Sequence, residues 1–319
     1  MGAMEWDEQR VSRRMKLRDL HVLLTVVRCG SMGKAAAQLS VSQPAISKAI
    51  ADMEYAFGVR LLDRNPRGVE PTIYARALLD RGIVAFDELK QAARHIEFLA
   101  NPTTGELRVG STIAIATSFI PEVVDRLTRR YPRLVFHLAA GEAGAAYRSL
   151  EERRVDLLVA PMFAPIAEEH MHAEMLYDEP LVVVAGARSP WARRRKVELA
   201  ELAAAVWTLP PTDSLYGSVV AEAFRAAGLD IPGATVFSSV VPVRNALLAS
   251  GRFLSMVQSS SVRFGSGQVA LKVLPIDLPT TRRPIGIITL KNRTLSPVAQ
   301  LFIDCAHEVA KVVTKRSLS

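Results

Sequence analysis

Residues 75 to 100 constrain this chain more than any other stretch. Ala75, Leu79, Gly82, Phe86, Leu89, Ala93, Ile96 and Ala100 recur at alternating intervals of four and three. That is a heptad stripe sustained for nearly four repeats, and it demands one long helix starting near Thr72. Asp, Glu, Lys and Arg occupy the other faces, so the stripe predicts a seam against a partner helix. The seam residues are Leu79, Gly82, Phe86, Leu89, Ala93 and Ile96. Gly82 and the alanines weaken it and call for close or imperfect packing. The competing use of the same periodicity is a helix lying on its own domain's core.

The helix separates two textures. Before it, Leu20, Leu23, Leu24 and Val27 mark a first helix that Gly30 stops. Ser31 is placed to cap a second helix running through Lys34 to Leu39, and Ser42 a third. Pro44 sits in the third helix's first turn, where a missing N–H costs nothing. Ile46, Ile50, Met53 and Phe57 give that helix one apolar stripe. Two short extended segments around Asn65-Pro66-Arg67-Gly68 then read as a hairpin.

After the long helix, Pro102 and Gly105 break the chain, and strands alternate with helices. "LRVGST", "FIPEVVDRLTRRYP", "LVFHLAA", "AAYRSLEERR" and "VDLLVAP" spell a βαβαβ unit with a parallel sheet. A second set runs from "PLVVVAG" to "VALKVLP", and "PIGIITL" with a helix from Pro297 closes the chain. Two similar α/β halves imply a bilobal domain with a cleft between the lobes. The expected divisions are 1–72, 73–102 and 103–319. The first lobe is 105–164 with 281–319, and the second is 165–280.

Composition narrows the partners. Lys and Arg outnumber Asp and Glu by 40 to 32, a net charge of +8, which favours anionic partners such as nucleic acid. No apolar run approaches the ~20 residues that span a bilayer, and "MGAMEWDEQRVSRRMKLR" lacks a signal-peptide core. A cytoplasmic protein is the expectation, with Met1 to Met4 either native or vector-derived. The two cysteines, Cys29 and Cys305, lie far apart and read as small buried side chains.

Alanines 35 to 37 allow two helices to cross closely, so the helix pair 32–57 forms a helix-turn-helix. In that motif the second helix enters the major groove with its first turns facing base edges. Gln43, Ser47 and Lys48 project away from Ile46, Ile50 and Met53. Gln pairs with adenine, Ser with a base or phosphate, and Lys with guanine or phosphate. Arg64 and Arg67 are placed as a wing gripping the backbone. The candidate DNA-binding set is Ser31, Ser42, Gln43, Pro44, Ser47, Lys48, Arg64 and Arg67.

"SMGKAAAQLSVSQPAISKAIADMEYAFGVRLLDRNPRGVEPT" resembles the N-terminal signature of the LysR-type transcriptional regulators, on its Ser42-Gln43-Pro44-Ala45 core above all. Met53-Glu54 replaces the usual Leu-Glu, Leu62-Asp63 the usual Phe-acid pair, and Tyr74 to Arg76 the usual Glu-Ala-Gly; these are packing changes. The order of modules extends the resemblance from about Leu17 to Thr314. It implies a bacterial winged helix-turn-helix regulator with a type-2 periplasmic-binding-like effector domain. It also implies a homodimer through the linker helices, commonly doubled to a tetramer. Such an assembly binds double-stranded DNA at an interrupted palindrome and works beside RNA polymerase. A small-molecule effector, a small acid or a sugar, would sit between the lobes and change the subunit arrangement and the DNA bend. The competing reading is an α/β solute-binding protein whose N-terminal helices only mediate association.

By position in that family, the effector residues are Ser111, Thr112, Pro161, Met162, Thr212, Ser214 and Ser239; each hydroxyl could equally be a helix cap. Asp213 and Glu142, if they line the cleft, argue against a simple anion and for a polyol or sugar. Enzyme readings fail on motifs. Gly33-Lys34 lacks the rest of a phosphate-binding loop, and Gly-x-Ser-x-Gly is absent. His170 and His172 have no further metal ligands in reach. No catalytic residue, cofactor or metal is expected.

Overall fold

The computed structural model describes residues 16–65, 68–162, 170–233, 235–264 and 270–315. These form two compact units, divided between Lys90 and Gln91 within the long helix.

The first unit contains α1 (Leu17–Cys29), α2 (Met32–Leu39), α3 (Gln43–Phe57), β1 (Leu62–Asn65), β2 (Gly68–Pro71) and the first half of α4 (Ile73–Ala100). Gly30, at φ 63°, ends α1 in the left-handed conformation that a side chain would resist. Ser31 and Ser42 cap α2 and α3, accepting from the Lys34 and Ala45 amides at 3.4 Å each. Leu23, Ile46, Ile50 and Met53 are sealed in one core, each burial worth roughly 1.5–3 kcal/mol. The hairpin is antiparallel, pairing Leu62 with Pro71 and Asn65 with Gly68. It is moored where the Val69 amide donates to the Gly30 carbonyl at 3.0 Å.

The heptad stripe splits in this unit. Ala75 and Leu79 are buried in the module's own core, and a methyl group added at Gly82 would come within 2.8 Å of Leu20. Phe86 meets His21 edge to face, with ring centres 5.7 Å apart. Leu79, Gly82 and Phe86 therefore pack within the monomer, which departs from the expected seam. Leu89 (50% exposed) and Ile96 (68%) remain uncovered, as does Ala93.

The second unit holds two five-stranded sheets. The first lobe contains β3 (Thr104–Thr112), α5 (Ile113–Ala116), α6 (Phe119–Arg130), β4 (Arg133–Gly141), α7 (Ala143–Glu151), β5 (Leu157–Pro161) and β6 (Met171–Glu179). The second contains β7 (Leu181–Gly186), β8 (Val206–Leu209), α8 (Leu215–Ala226), β9 (Thr235–Phe237), α9 (Val241–Ala249), β10 (Phe253–Gln258), α10 (Ser259–Arg263) and β11 (Leu271–Val273). The chain then returns to the first lobe through β12 (Arg283–Leu290) and α11 (Pro297–Lys315).

Strand order in the first sheet is β4-β3-β5-β12-β6, with β3 parallel to β4 and β5 and β12 antiparallel to both its neighbours. Strand β6 is thus the edge of the first sheet, whereas residues 165 onward were expected in the second lobe. The reason is long-range: all eight residues of β12 find partners along β6, a pairing no local pattern encodes. In the second sheet the order is β11-β7-β10-β8-β9. Its core is built on Trp207, fully buried against Phe224 and donating its ring N–H to the Leu202 carbonyl at 3.0 Å. Where the chain passes between lobes, the Leu181 amide donates to Thr281 Oγ1 at 3.1 Å, tying the two crossings together.

Behind the linker helix, one carboxylate organises the first lobe. Asp156 Oδ1 accepts from Arg293 (2.6 Å), Arg94 (3.0 Å) and Gln91 (3.3 Å), and its Oδ2 accepts from the Arg108 amide (2.8 Å). This fixes the C-terminal half of α4 on the lobe. No helix among the described residues is long and apolar enough to cross a membrane.

Candidate nucleic-acid interface and effector cavity

Helix α3 carries its polar residues at the end that Ser42 caps. Gln43, Pro44 and Lys48 are exposed, while Ile46 and Ile50 point into the core. Gln43 Oε1 lies close to Gly33, where an added methyl group would stand 3.5 Å away. Ser47 behaves differently from its expected projection: it is half-buried, and its hydroxyl donates to Met32 Sδ at 3.4 Å. Ser47 follows Gln43 by one helical turn, but its hydroxyl is taken up by the Met32 sulfur. Arg64 is exposed on β1; Arg67 lies outside the described residues. Ser31 and Ser42 spend their side-chain oxygens on caps.

Between the two lobes of the second unit is a cavity of about 320 Å³. Its floor and walls are largely apolar, formed by Leu181, Val220, Val241 and Met256 among others. Thr112, Ser214 and Ser239 line it as the sequence suggested. The other four candidates do not. Ser111 donates its hydroxyl to the Val159 carbonyl at 2.9 Å inside the sheet. Pro161 offers its carbonyl to Tyr147 (3.1 Å), and Met162 bonds through its amide to Pro284 at 2.8 Å, both on the β12 side. Thr212 is exposed and outside the lining.

Glu142 and Asp213 do line the cavity, each exposed, and Ser239 donates to Glu142 at 3.0 Å from the opposite lobe. Two further residues escaped the sequence reading. Arg244 lies one turn into α9, where burial pushes its guanidinium below arginine's usual range and no carboxylate among the described residues pairs with it. Gln258, 3% exposed at the end of β10, leaves both amide atoms without a protein partner. The Thr112 hydroxyl, also 3% exposed, has none either. An arginine in the mostly apolar "VPVRNALLA", where Asn245 is the one other polar residue, and a glutamine ending the mostly apolar strand "FLSMVQ" were the available signals.

A capped helix with an exposed polar leading turn, a winged hairpin, and a two-lobed domain enclosing a small cavity define a ligand-responsive DNA-binding regulator. The comparisons with known proteins agree. A family model described as the LysR substrate binding domain matches residues 100–311, and one described as the bacterial regulatory helix-turn-helix protein, lysR family, matches residues 17–76. The chain belongs to the LysR family of transcriptional regulators. It is a ligand-responsive, DNA-binding transcriptional regulator.

Among characterised relatives, it is 26% identical to the HTH-type transcriptional regulator GbpR of Azospirillum brasilense, covering 96% of this chain and 90% of that one. It is 25% identical to TdcA of Escherichia coli K12, covering 92% and 93%. Among solved structures, full-length OxyR from Pseudomonas aeruginosa shares its fold with a TM-score of 0.67 at 22% identity, covering 93% and 97%. Full-length CbnR complexed with its target DNA superposes with a TM-score of 0.66 at 21% identity, covering 92% and 100%.

Proposed function

We propose that α3 reads base edges in the major groove with Gln43 and Lys48, while Arg64 on the hairpin grips the phosphate backbone. The observation that carries this is the exposure of Gln43, Pro44 and Lys48 on the first turns of a helix whose opposite face is sealed into the core. Ser47 takes a supporting place, reaching DNA only if its hydroxyl leaves Met32. Ser31 and Ser42 act by holding the helix ends, and their free helix-terminal N–H groups suit a phosphate.

The active species in this reading is a homodimer, doubled to a tetramer, joined through the uncovered half of the linker stripe at Leu89, Ala93 and Ile96. Two reading helices related by twofold symmetry then address an interrupted palindrome. A small molecule in the inter-lobe cavity favours one arrangement of subunits over another, because only differential affinity can shift such an equilibrium. Contact with RNA polymerase is a further expectation for a regulator of this kind.

Gel shifts on the DNA upstream of the protein's own gene, in rising salt, test the reading role. Affinity should fall steeply with salt. Gln43→Ala should lower discrimination between specific and random DNA by about 1–3 kcal/mol. Arg64→Ala should weaken both equally. Equal loss on both DNAs for Gln43→Ala would remove base reading from this residue.

A further inference from the structure

The cavity's lining carries chemistry of both signs, and no ion pair among the described residues joins the two. It includes the Arg244 guanidinium, with no carboxylate paired to it among the described residues, and the Gln258 amide, with neither its donor nor its acceptor satisfied. Glu142 and Asp213 line the same cavity and are exposed, and neither has a basic partner among the described residues. Much of the remaining lining is aliphatic.

Buried polar groups in folded proteins are paired, and a charge withdrawn from water without a partner is costly. Arg244, Gln258 and the Thr112 hydroxyl are therefore groups held ready for something the protein does not itself supply. Arg244 and Gln258 together suit a carboxylate, which accepts from a guanidinium fork and from an amide N–H. A polyol would leave the guanidinium unpaired. A dianion would set its second charge against Glu142 and Asp213. A plain monocarboxylic acid would answer Arg244 and Gln258 and leave Glu142 and Asp213 unused.

We infer that the cavity takes a small zwitterion with an apolar body, an α-amino acid, whose carboxylate meets Arg244 and Gln258 and whose ammonium group lies toward Glu142 and Asp213. This rests on the reading of the cavity as the effector site. It revises the expectation of a neutral polyol, which Glu142 and Asp213 supported before Arg244 was known to share their cavity.

The test is calorimetric titration of the full chain with L-leucine, L-methionine and L-phenylalanine. In parallel run their N-acetyl derivatives, their methyl esters, isovalerate and D-glucose. Binding of a free amino acid is expected, weakened about tenfold or more by blocking either end, since each block removes a charge-assisted hydrogen bond. Arg244→Gln should weaken the free amino acid by a similar factor and leave its methyl ester little changed. Glu142→Gln with Asp213→Asn should weaken the amino acid and spare isovalerate. A Val241→Trp variant, which fills the cavity, serves as the control on location, with its fold checked by circular dichroism. Isovalerate or glucose binding better than any amino acid, and lost in Val241→Trp, overturns the zwitterion while the cavity keeps its role. Binding that survives Val241→Trp overturns the cavity reading itself. Absence of binding by every amino acid tested also overturns the zwitterion.

Discussion

Removing the carboxylate of Asp156 should damage the effector domain more than any surface change of equal size. Asp156, with its side chain 4% exposed, answers Arg293, whose side chain is 2% exposed, and Arg94, at 13%. It also takes the Gln91 amide and the Arg108 backbone N–H. Asp156→Ala removes a buried carboxylate that both Arg293, at 2.6 Å, and Arg94, at 3.0 Å, address. Breaking one side of a buried pair costs about 3–5 kcal/mol, because the partner's desolvation is no longer repaid. For a unit of this size that corresponds to a fall in Tm of about 6–20 °C. Differential scanning calorimetry of the full chain reads it as the transition of the larger unit. The reasoning also predicts coupling: once Asp156 is gone, Arg293→Met should cost less than in the parent, because the pair's shared contribution is already lost. A loss below ~1 kcal/mol for Asp156→Ala, or Arg293→Met costing the same in both backgrounds, would show that the network contributes little.

Gly68→Ala should lift the hairpin from α1, since Gly68 has φ 137° and an added methyl group would sit 2.5 Å from the Gly30 carbonyl oxygen. DNA affinity should drop similarly on specific and random sequences in gel shifts, with the larger unit's thermal transition unchanged. Leu89→Glu, at a position 50% exposed in the monomer, should shift sedimentation toward monomer while moving monomer stability by no more than about 0.5 kcal/mol. An unchanged assembly would rule out that half of the stripe as the interface. Glu179 is held above the ordinary value of 4.5, burial outweighing the donors Ser259 and Ser260. The folded state then keeps a proton that the unfolded chain releases, so stability declines as pH rises from about 4.5 toward the raised value. Glu179→Gln should flatten that decline in a series of Tm measurements against pH, and an unaltered slope would contradict it.

The sequence made much of this legible because its signals are local. Caps at Ser31 and Ser42, the stop at Gly30 and the hairpin around Asn65 to Gly68 depend on neighbours a few residues away. The alternation of strands and helices after Thr104 likewise announced two α/β lobes. What stayed hidden was decided by distant partners. A heptad records that a face is buried without saying by what, so Leu79 and Gly82 could not be told from Leu89 and Ile96. The place of β6 depends on β12, more than a hundred residues later. Ser111 was a plausible ligand contact until its cross-strand bond to Val159 was visible. Arg244 and Gln258 become a site only when α9 and β10 are brought to one cavity wall.

The first lobe is assembled from both ends of the second unit. Strand β12 fills the gap between β5 and β6, and Phe302 and Val309 of α11 plug the core above them. As the chain leaves the ribosome, N-terminal parts fold first. The reading head and then the second lobe can be complete while the first lobe still has a missing slat and an open roof. A nascent chain stopped short of residue 283 would therefore carry a finished DNA reader on a sensor that cannot close, and messages or proteases that cut the last stretch would yield a blind competitor for the same operators.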